Sequence, residues 1–139
     1  MEYKNLGRTG LKVSVACLGC GGSSALGRSK GKTEEHSINL VKAAIDLGVN
    51  FFDTANVYGT EQIVGKAIKN INRDKVIIST KHHVATKDKQ IGLKYIIAGL
   101  DNSLKELKTD YIDVFHLHGV APKNYDYALK LVPELLKEK

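Results

Sequence analysis

Four side chains of this 139-residue sequence stand where a polar residue follows a short apolar run: Asp53 after Val49 to Phe52, Tyr58 shortly beyond it, Lys81 after Val76 to Thr80, and His118 after Tyr111 to Leu117. Their types form a coherent set for moving a proton. A tyrosine with an ordinary pKa of about 10 is a reluctant acid, and an ammonium close by favours its phenolate form. Lys81 is the candidate for that cation, and Asp53 is the carboxylate a sheltered lysine needs as a partner. His118 is able to hydrogen-bond a substrate carbonyl and fix its orientation. Such a group would protonate an oxygen as hydride arrives at its carbon.

Each residue also has a plainer reading. From spacing alone Asp53 is equally an N-cap or loop carboxylate, Tyr58 before Gly59 is turn packing, and Lys81 is a surface lysine just past its strand. His116 and His118 lie two apart, hence on the same side of a strand, and that spacing also suits a metal pair with His82 or His83 as further ligands. A metal-dependent hydrolase is therefore the remote alternative. No carboxylate is spaced to complete its shell in an obvious way, and no metal site is assigned.

The four residues meet only if the chain folds so that distant strand ends share one side. Short β-branched or apolar runs alternate with stretches of helical periodicity, the pattern of a parallel α/β sheet. Four units are counted. Strands are expected at Val13 to Leu18, Val49 to Phe52, Val76 to Thr80 and Tyr111 to Leu117. The first helix starts at Thr33, an N-cap with Glu34 and Glu35 in the first turn, and ends at Gly48. The second begins at about Glu61, burying Ile63, Val64, Ala67, Ile68 and Ile71; the third begins around Asp88, with Leu93, Ile96, Ile97, Leu100, Leu104 and Leu107 at helical spacing. Pro133 makes the last unit either one kinked helix or two pieces, Asn124 to Val132 and Pro133 to Lys139. Ahead of strand one, Tyr3 to Val13 predicts a hairpin. The long Gly19 to Lys32 segment is a candidate lid or ligand loop. In a parallel sheet all strand C-termini lie on one side, which brings the four polar residues within reach of one another.

Leu6-Gly7-Arg8-Thr9-Gly10-Leu11-Lys12-Val13-Ser14, Gly48-Val49-Asn50-Phe51-Phe52-Asp53-Thr54-Ala55-Asn56-Val57-Tyr58-Gly59, Ser79-Thr80-Lys81 and the segment from Ser103 to Gly119 together resemble the aldo-keto reductase family. The likeness covers essentially the whole chain, with its motifs in the family's order. It implies a (β/α)8 TIM barrel closed at its bottom by the hairpin, and reduction of aldehydes or ketones with NADPH, NADH being the alternative. Residue by residue, the resemblance implies Tyr58 as proton donor, Lys81 as the group that eases its ionisation, Asp53 as partner of Lys81 and contact for the nicotinamide ribose, and His118 as the carbonyl-orienting group. Gly21, Gly22 and Ser23 match the family's first cofactor-contacting loop, without the usual aromatic residue. His116 receives no role.

A full barrel of this kind needs about 250 residues, so the fold expected here is α/β, a hairpin plus four βα units, half of a TIM barrel forming one domain over residues 1 to 139. In the family the other half carries the residues that stack on the nicotinamide and most of the adenosine-phosphate grip. Half a barrel leaves two strand edges and the inner face open. A homodimer, a complementing half-barrel chain, or truncation of a longer reading frame would account for it, truncation being the favoured reading; a non-catalytic half-barrel that assembles or binds ligands is the alternative function.

Composition agrees with a folded domain: 42% of residues are hydrophobic and 26% charged. Basic residues exceed acidic ones, 21 against 15, for a net charge of +6, yet acidic neighbours are interspersed, which describes a solvated surface rather than a nucleic-acid face. No apolar run approaches the length of a membrane span, and the charged N-terminus lacks a signal region, so a cytoplasmic location and no membrane partner are expected. Cys17 and Cys20 form a Cys-x-x-Cys pair, but an apolar run entering a glycine cluster suits neither a redox helix terminus nor a zinc site. Both are expected to be ordinary buried thiols.

Overall fold

The computed structural model describes residues 1–87 and 89–137. An antiparallel hairpin, β1 (Tyr3–Asn5) with β2 (Lys12–Ser14), precedes a parallel sheet of β3 (Cys17–Gly19), β4 (Phe51–Asp53), β5 (Ile77–His83) and β6 (Val114–His118). The strands lie side by side in chain order, each joined to the next through a helix: α1 (Glu34–Asp46), α2 (Glu61–Ile68) and α3 (Leu93–Leu107), with α4 (Tyr125–Lys137) following β6. This is the hairpin plus four βα units that the sequence predicts. β3 and β6 form the two open edges.

Several boundaries differ from expectation. The single strand expected from Val13 to Leu18 is two strands: Val13 and Ser14 pair with the hairpin, Val15 and Ala16 bend, and only then does Cys17 enter the sheet. One apolar run thus serves two sheets, which alternation alone does not reveal. β5 continues past Thr80 to His83, so Lys81 lies within the strand rather than just beyond it. The expected third-helix start at Asp88 lies outside the described residues; the helix itself begins at Leu93, after Gly92 as N-cap and an Ala85–Gln90 bridge that closes a small turn. Through Lys137, α4 is one helix with Pro133 inside, preceded by a 3-10 turn at Pro122–Asn124; Glu138 and Lys139 lie outside the described residues.

Local chemistry explains the elements. Thr33 caps α1, its hydroxyl accepting from the His36 amide at 3.1 Å, and Glu34 and Glu35 occupy the first turn where the helix dipole favours carboxylates. Gly48 turns the chain away at φ +88, a left-handed value that suits glycine. Outward-facing strand residues and the inner stripes of α1 and α2 make one core, with Val41, Phe52, Ile63, Val64 and Ile78 fully buried. A second core joins Phe115 and Leu117 of β6 to Ile96, Ala128 and Leu131 of α3 and α4. Where α2 meets α3, a Cβ on Gly65 would stand 2.6 Å from the carbonyl oxygens of Glu106 and Leu107, so only glycine allows the helices to approach this closely.

The hairpin is fastened to the sheet by Asn50. Its Oδ1 accepts from the Ser14 amide at 2.7 Å, its amide donates to Ser14 Oγ at 3.1 Å, and its Nδ2 donates to the Lys12 carbonyl at 2.9 Å. Tyr3 adds a 2.8 Å hydrogen bond to the Gly48 carbonyl.

Candidate active site

Strand register decides which side chains share the inner face. Gly19, Asp53, Ser79 and Val114 stand level across the four strands, followed by Lys81 with His116 and His83 with His118. Because side chains alternate, Asp53, Ser79, Lys81, His83, His116 and His118 all point inward, whereas Phe52, Ile78, Thr80, His82, Phe115 and Leu117 point toward the helices. Asp53 and His118 each close their strand at the C-terminal end.

Asp53, Tyr58, Lys81 and His118 do come together. Lys81 Nζ donates to Asp53 Oδ2 at 2.7 Å and to the Thr54 carbonyl at 2.6 Å, while Ser79 Oγ donates to the other carboxylate oxygen at 2.9 Å. The ion pair is sheltered, its side chains 16% exposed at Lys81 and 34% at Asp53. Tyr58 ends a 3-10 turn at Asn56–Tyr58, and the chain leaves through Gly59 at φ +64. Its ring lies 5.1 Å from Lys81 Nζ and meets the His118 ring edge to face, with centroids 5.6 Å apart at 89°. Burial first, then the neighbouring His83 and Lys81 charges, hold the His118 imidazole below its ordinary 6.5, so it is neutral near pH 7.

Of the three loop residues expected to contact a cofactor, Gly21 is at the site: a Cβ there would sit 2.5 Å from the Tyr58 ring. Gly22 and Ser23 are exposed farther along the loop. The middle of that loop is tied down, contrary to a free lid, since Leu26 is buried in the first core and its carbonyl accepts from Ser37 Oγ at 2.9 Å.

One expectation is corrected. Cys17 is exposed on the inner face rather than buried, because its strand alternation turns it away from the helices; Cys20 is buried on the opposite side, where burial pushes its thiol up to about 12. The histidines do not assemble a metal shell. His82 faces α3 with its ring against Gly99, His116 is exposed, and the rings of His83 and His118 lie parallel instead of converging. Among the described residues no group of three or more His, Cys, Asp or Glu is gathered to hold a metal.

Sequence reasoning missed the supports. Buried Glu61 accepts from Thr80 Oγ1 at 2.6 Å, fastening the start of α2 to β5 behind Lys81. Thr54 and Thr60 share a buried hydroxyl contact at 3.1 Å across the turn that carries Tyr58. Their only sequence signal is a polar residue within a segment whose pattern calls for burial.

A half-barrel with an Asp–Lys pair, a tyrosine and a histidine at its strand ends has counterparts among known proteins. The chain belongs to the aldo/keto reductase family, whose model matches residues 17–138. It is 40% identical over 132 residues to aldo-keto reductase YhdN of Bacillus subtilis (strain 168), covering 88% of this chain and 39% of the relative. It is 33% identical over 146 residues to L-galactose dehydrogenase of Arabidopsis thaliana, covering 100% of this chain and 45% of the relative. Among solved structures, the holo form of aldo-keto reductase AKR11C1 from Bacillus halodurans superposes with a TM-score of 0.79 at 32% identity, over 99% of this chain and 47% of that one. The chain thus spans less than half the length of these relatives.

Proposed function

We propose that this chain carries the proton-handling half of an NAD(P)H-dependent oxidoreductase that interconverts small-molecule aldehyde or ketone carbonyls and alcohols, with NADPH as the expected cofactor. The observation that carries the reading is the Lys81 ammonium, which is bound to Asp53 on one side and lies beside the Tyr58 ring on the other. In carbonyl reduction Tyr58 donates its phenolic proton to the substrate oxygen, and Lys81 stabilises the negative charge that develops on the phenol oxygen. Asp53 keeps the ammonium in place. Neutral His118 offers a hydrogen bond to the carbonyl without competing as an acid.

The inner face suits the nicotinamide end of the cofactor. Gly21 leaves no room for a side chain against Tyr58, so backbone lines the site there, and the partly exposed Asp53 carboxylate has lone pairs left for ribose hydroxyls. Asp53 and the Gly21, Gly22, Ser23 loop would hold that end. The cofactor supplies the hydride.

The open edges of β3 and β6 and an exposed apolar stripe on α4 (Tyr125, Leu129, Val132, Leu136) support a complementing half-barrel as partner, in the same polypeptide or another copy. Titration of the 139-residue chain with NADPH, read by nicotinamide fluorescence, tests the reading together with a carbonyl screen. Saturable binding and carbonyl-dependent NADPH oxidation, abolished by Tyr58→Phe, support it. Turnover unchanged in Tyr58→Phe overturns the role of Tyr58, and absence of binding places the reductase function in a longer protein or a complex.

A further inference from the structure

An imidazole is ordinarily fixed by a hydrogen bond at one ring nitrogen, which sets both its tautomer and its angle. His118 lacks that anchor: its Nδ1 is buried and has no hydrogen-bond partner among the described residues. Its placement rests instead on what touches the faces and edge of its ring. The His83 ring lies flat against it, with centroids 4.3 Å apart and planes 4° from parallel. On Tyr58 it meets a second aromatic ring at 89°. His83 is held in turn by the strand it stacks on, for its Nδ1 is 3.1 Å from the His118 carbonyl oxygen. A carbonyl only accepts, so Nδ1 of His83 carries the proton and its tautomer is defined. Directly after His118, Gly119 takes φ +60, and its Cα region faces the His83 ring, where an added Cβ would be 3.6 Å away. The strand end is therefore shaped around His83.

We propose that His83 is the positioning residue of His118: stacked on its ring and hydrogen-bonded to its carbonyl oxygen, it sets the angle at which His118 faces Tyr58 and hence the orientation of a carbonyl substrate. The substrate clause rests on the reductase reading; the control of His118 by His83 does not. The groups facing His118 are His83 and Lys81 from β5, Asp53 from β4, and Tyr58 from the turn after β4, while His82 acts weakly from the other face of β5. Of these, only Asp53 favours the imidazolium; burial opposes it most, and repulsion from any positive charge on His83 comes next. Removing His83 both opens the ring to water and deletes that neighbour, so the two effects on His118 have the same sign.

The test is side-chain NMR of the 139-residue chain from about pH 5 to about pH 8, the range in which histidine titrates. In the unsubstituted chain, contacts between Tyr58 and His118 ring protons are expected, together with a His118 midpoint below 6.5. His83→Ala should lose the contacts and shift the midpoint upward, while His83→Phe, which keeps a flat ring, should retain the contacts. A folded His83→Ala chain with contacts and midpoint unchanged overturns the proposal. Should His83→Ala fail to fold, loss of the contacts in His83→Phe does the same. Where the protein turns over, His83→Ala is expected to lower kcat/KM for the carbonyl about 100-fold with NADPH affinity unchanged. A protein without turnover whose His118 still responds to His83 leaves the positioning role standing and removes the reductase reading.

Discussion

The two faces of the β3–β6 sheet differ more than any two elements of the molecule. Toward the helices, Phe52 and Ile78 are completely buried in the core they share with α1 and α2. Toward the lumen, neighbouring positions on the same strands remain half open: Phe51 and Asp53 are partly exposed, and Cys17 and His116 are exposed. Each βα unit completes its outer packing from residues close in sequence, whereas among the described residues no opposing strands close the inner face. The packed core thus lies on one face and the candidate site on the other. The ion pair and hydrogen bonds around Asp53 nonetheless form from β4, β5 and Thr54.

Adjacent phenylalanines give the largest test of that contrast. Phe52→Ala should cost about 3–5 kcal/mol in chemical denaturation, whereas Phe51→Ala, on the open side, should cost about 1 kcal/mol, rising when a complementing half covers the lumen. Equal losses would mean that the faces are equally packed. Next in size is Asp113, which accepts from Arg73 Nη2 at 2.6 Å and from the Ile78 amide at 2.8 Å, with its side chain only 9% exposed. Asp113→Ala removes the carboxylate partner of the guanidinium, which keeps its bonds to Thr109 and to the Val76 and Tyr111 carbonyls, and should lower stability by about 3 kcal/mol.

Gly65→Ala comes next: the α2–α3 contact must open to admit a methyl group, a change expected to cost about 1–3 kcal/mol in thermal unfolding. Gly21→Ala presses on the Tyr58 ring at the lumen instead, and should disturb the Tyr58–His118 ring contacts more than it disturbs unfolding. The smallest effect concerns pH. His118 has a folded-state pKa below its unfolded value of 6.5, so the unfolded chain binds more protons in that window; its contribution to stability is complete above it and declines as pH falls through it. Denaturation midpoints at several pH values should show this slope, and His118→Gln should remove it.

Strand order, hairpin, helix stripes and the four-residue cluster were legible because each depends on local periodicity or on the shared direction of parallel strands. Asp53, Tyr58, Lys81 and His118 meet for that reason, whereas spacing alone admits His116, His82 and His83 only as ligands of a remote metal alternative. Their separation follows from register: His82 points to α3, while His83 stacks on His118. The split at Val15 and Ala16 was hidden because both halves of the run are apolar or small. Glu61 was not recognisable as buried, because its partner Thr80 comes from another unit and first-turn carboxylates are commonly solvated.

Asn50 carries a kinetic consequence. The strands of the sheet lie side by side in chain order, while the hairpin is attached through bonds from Asn50 to residues 36 and 38 positions earlier. A clasp between residues so far apart in sequence is expected to close after the rate-limiting barrier of folding. Loosening it with Asn50→Ala would therefore leave refolding nearly unchanged and hasten unfolding, so the clasp sets how long the folded chain lasts more than how quickly it forms.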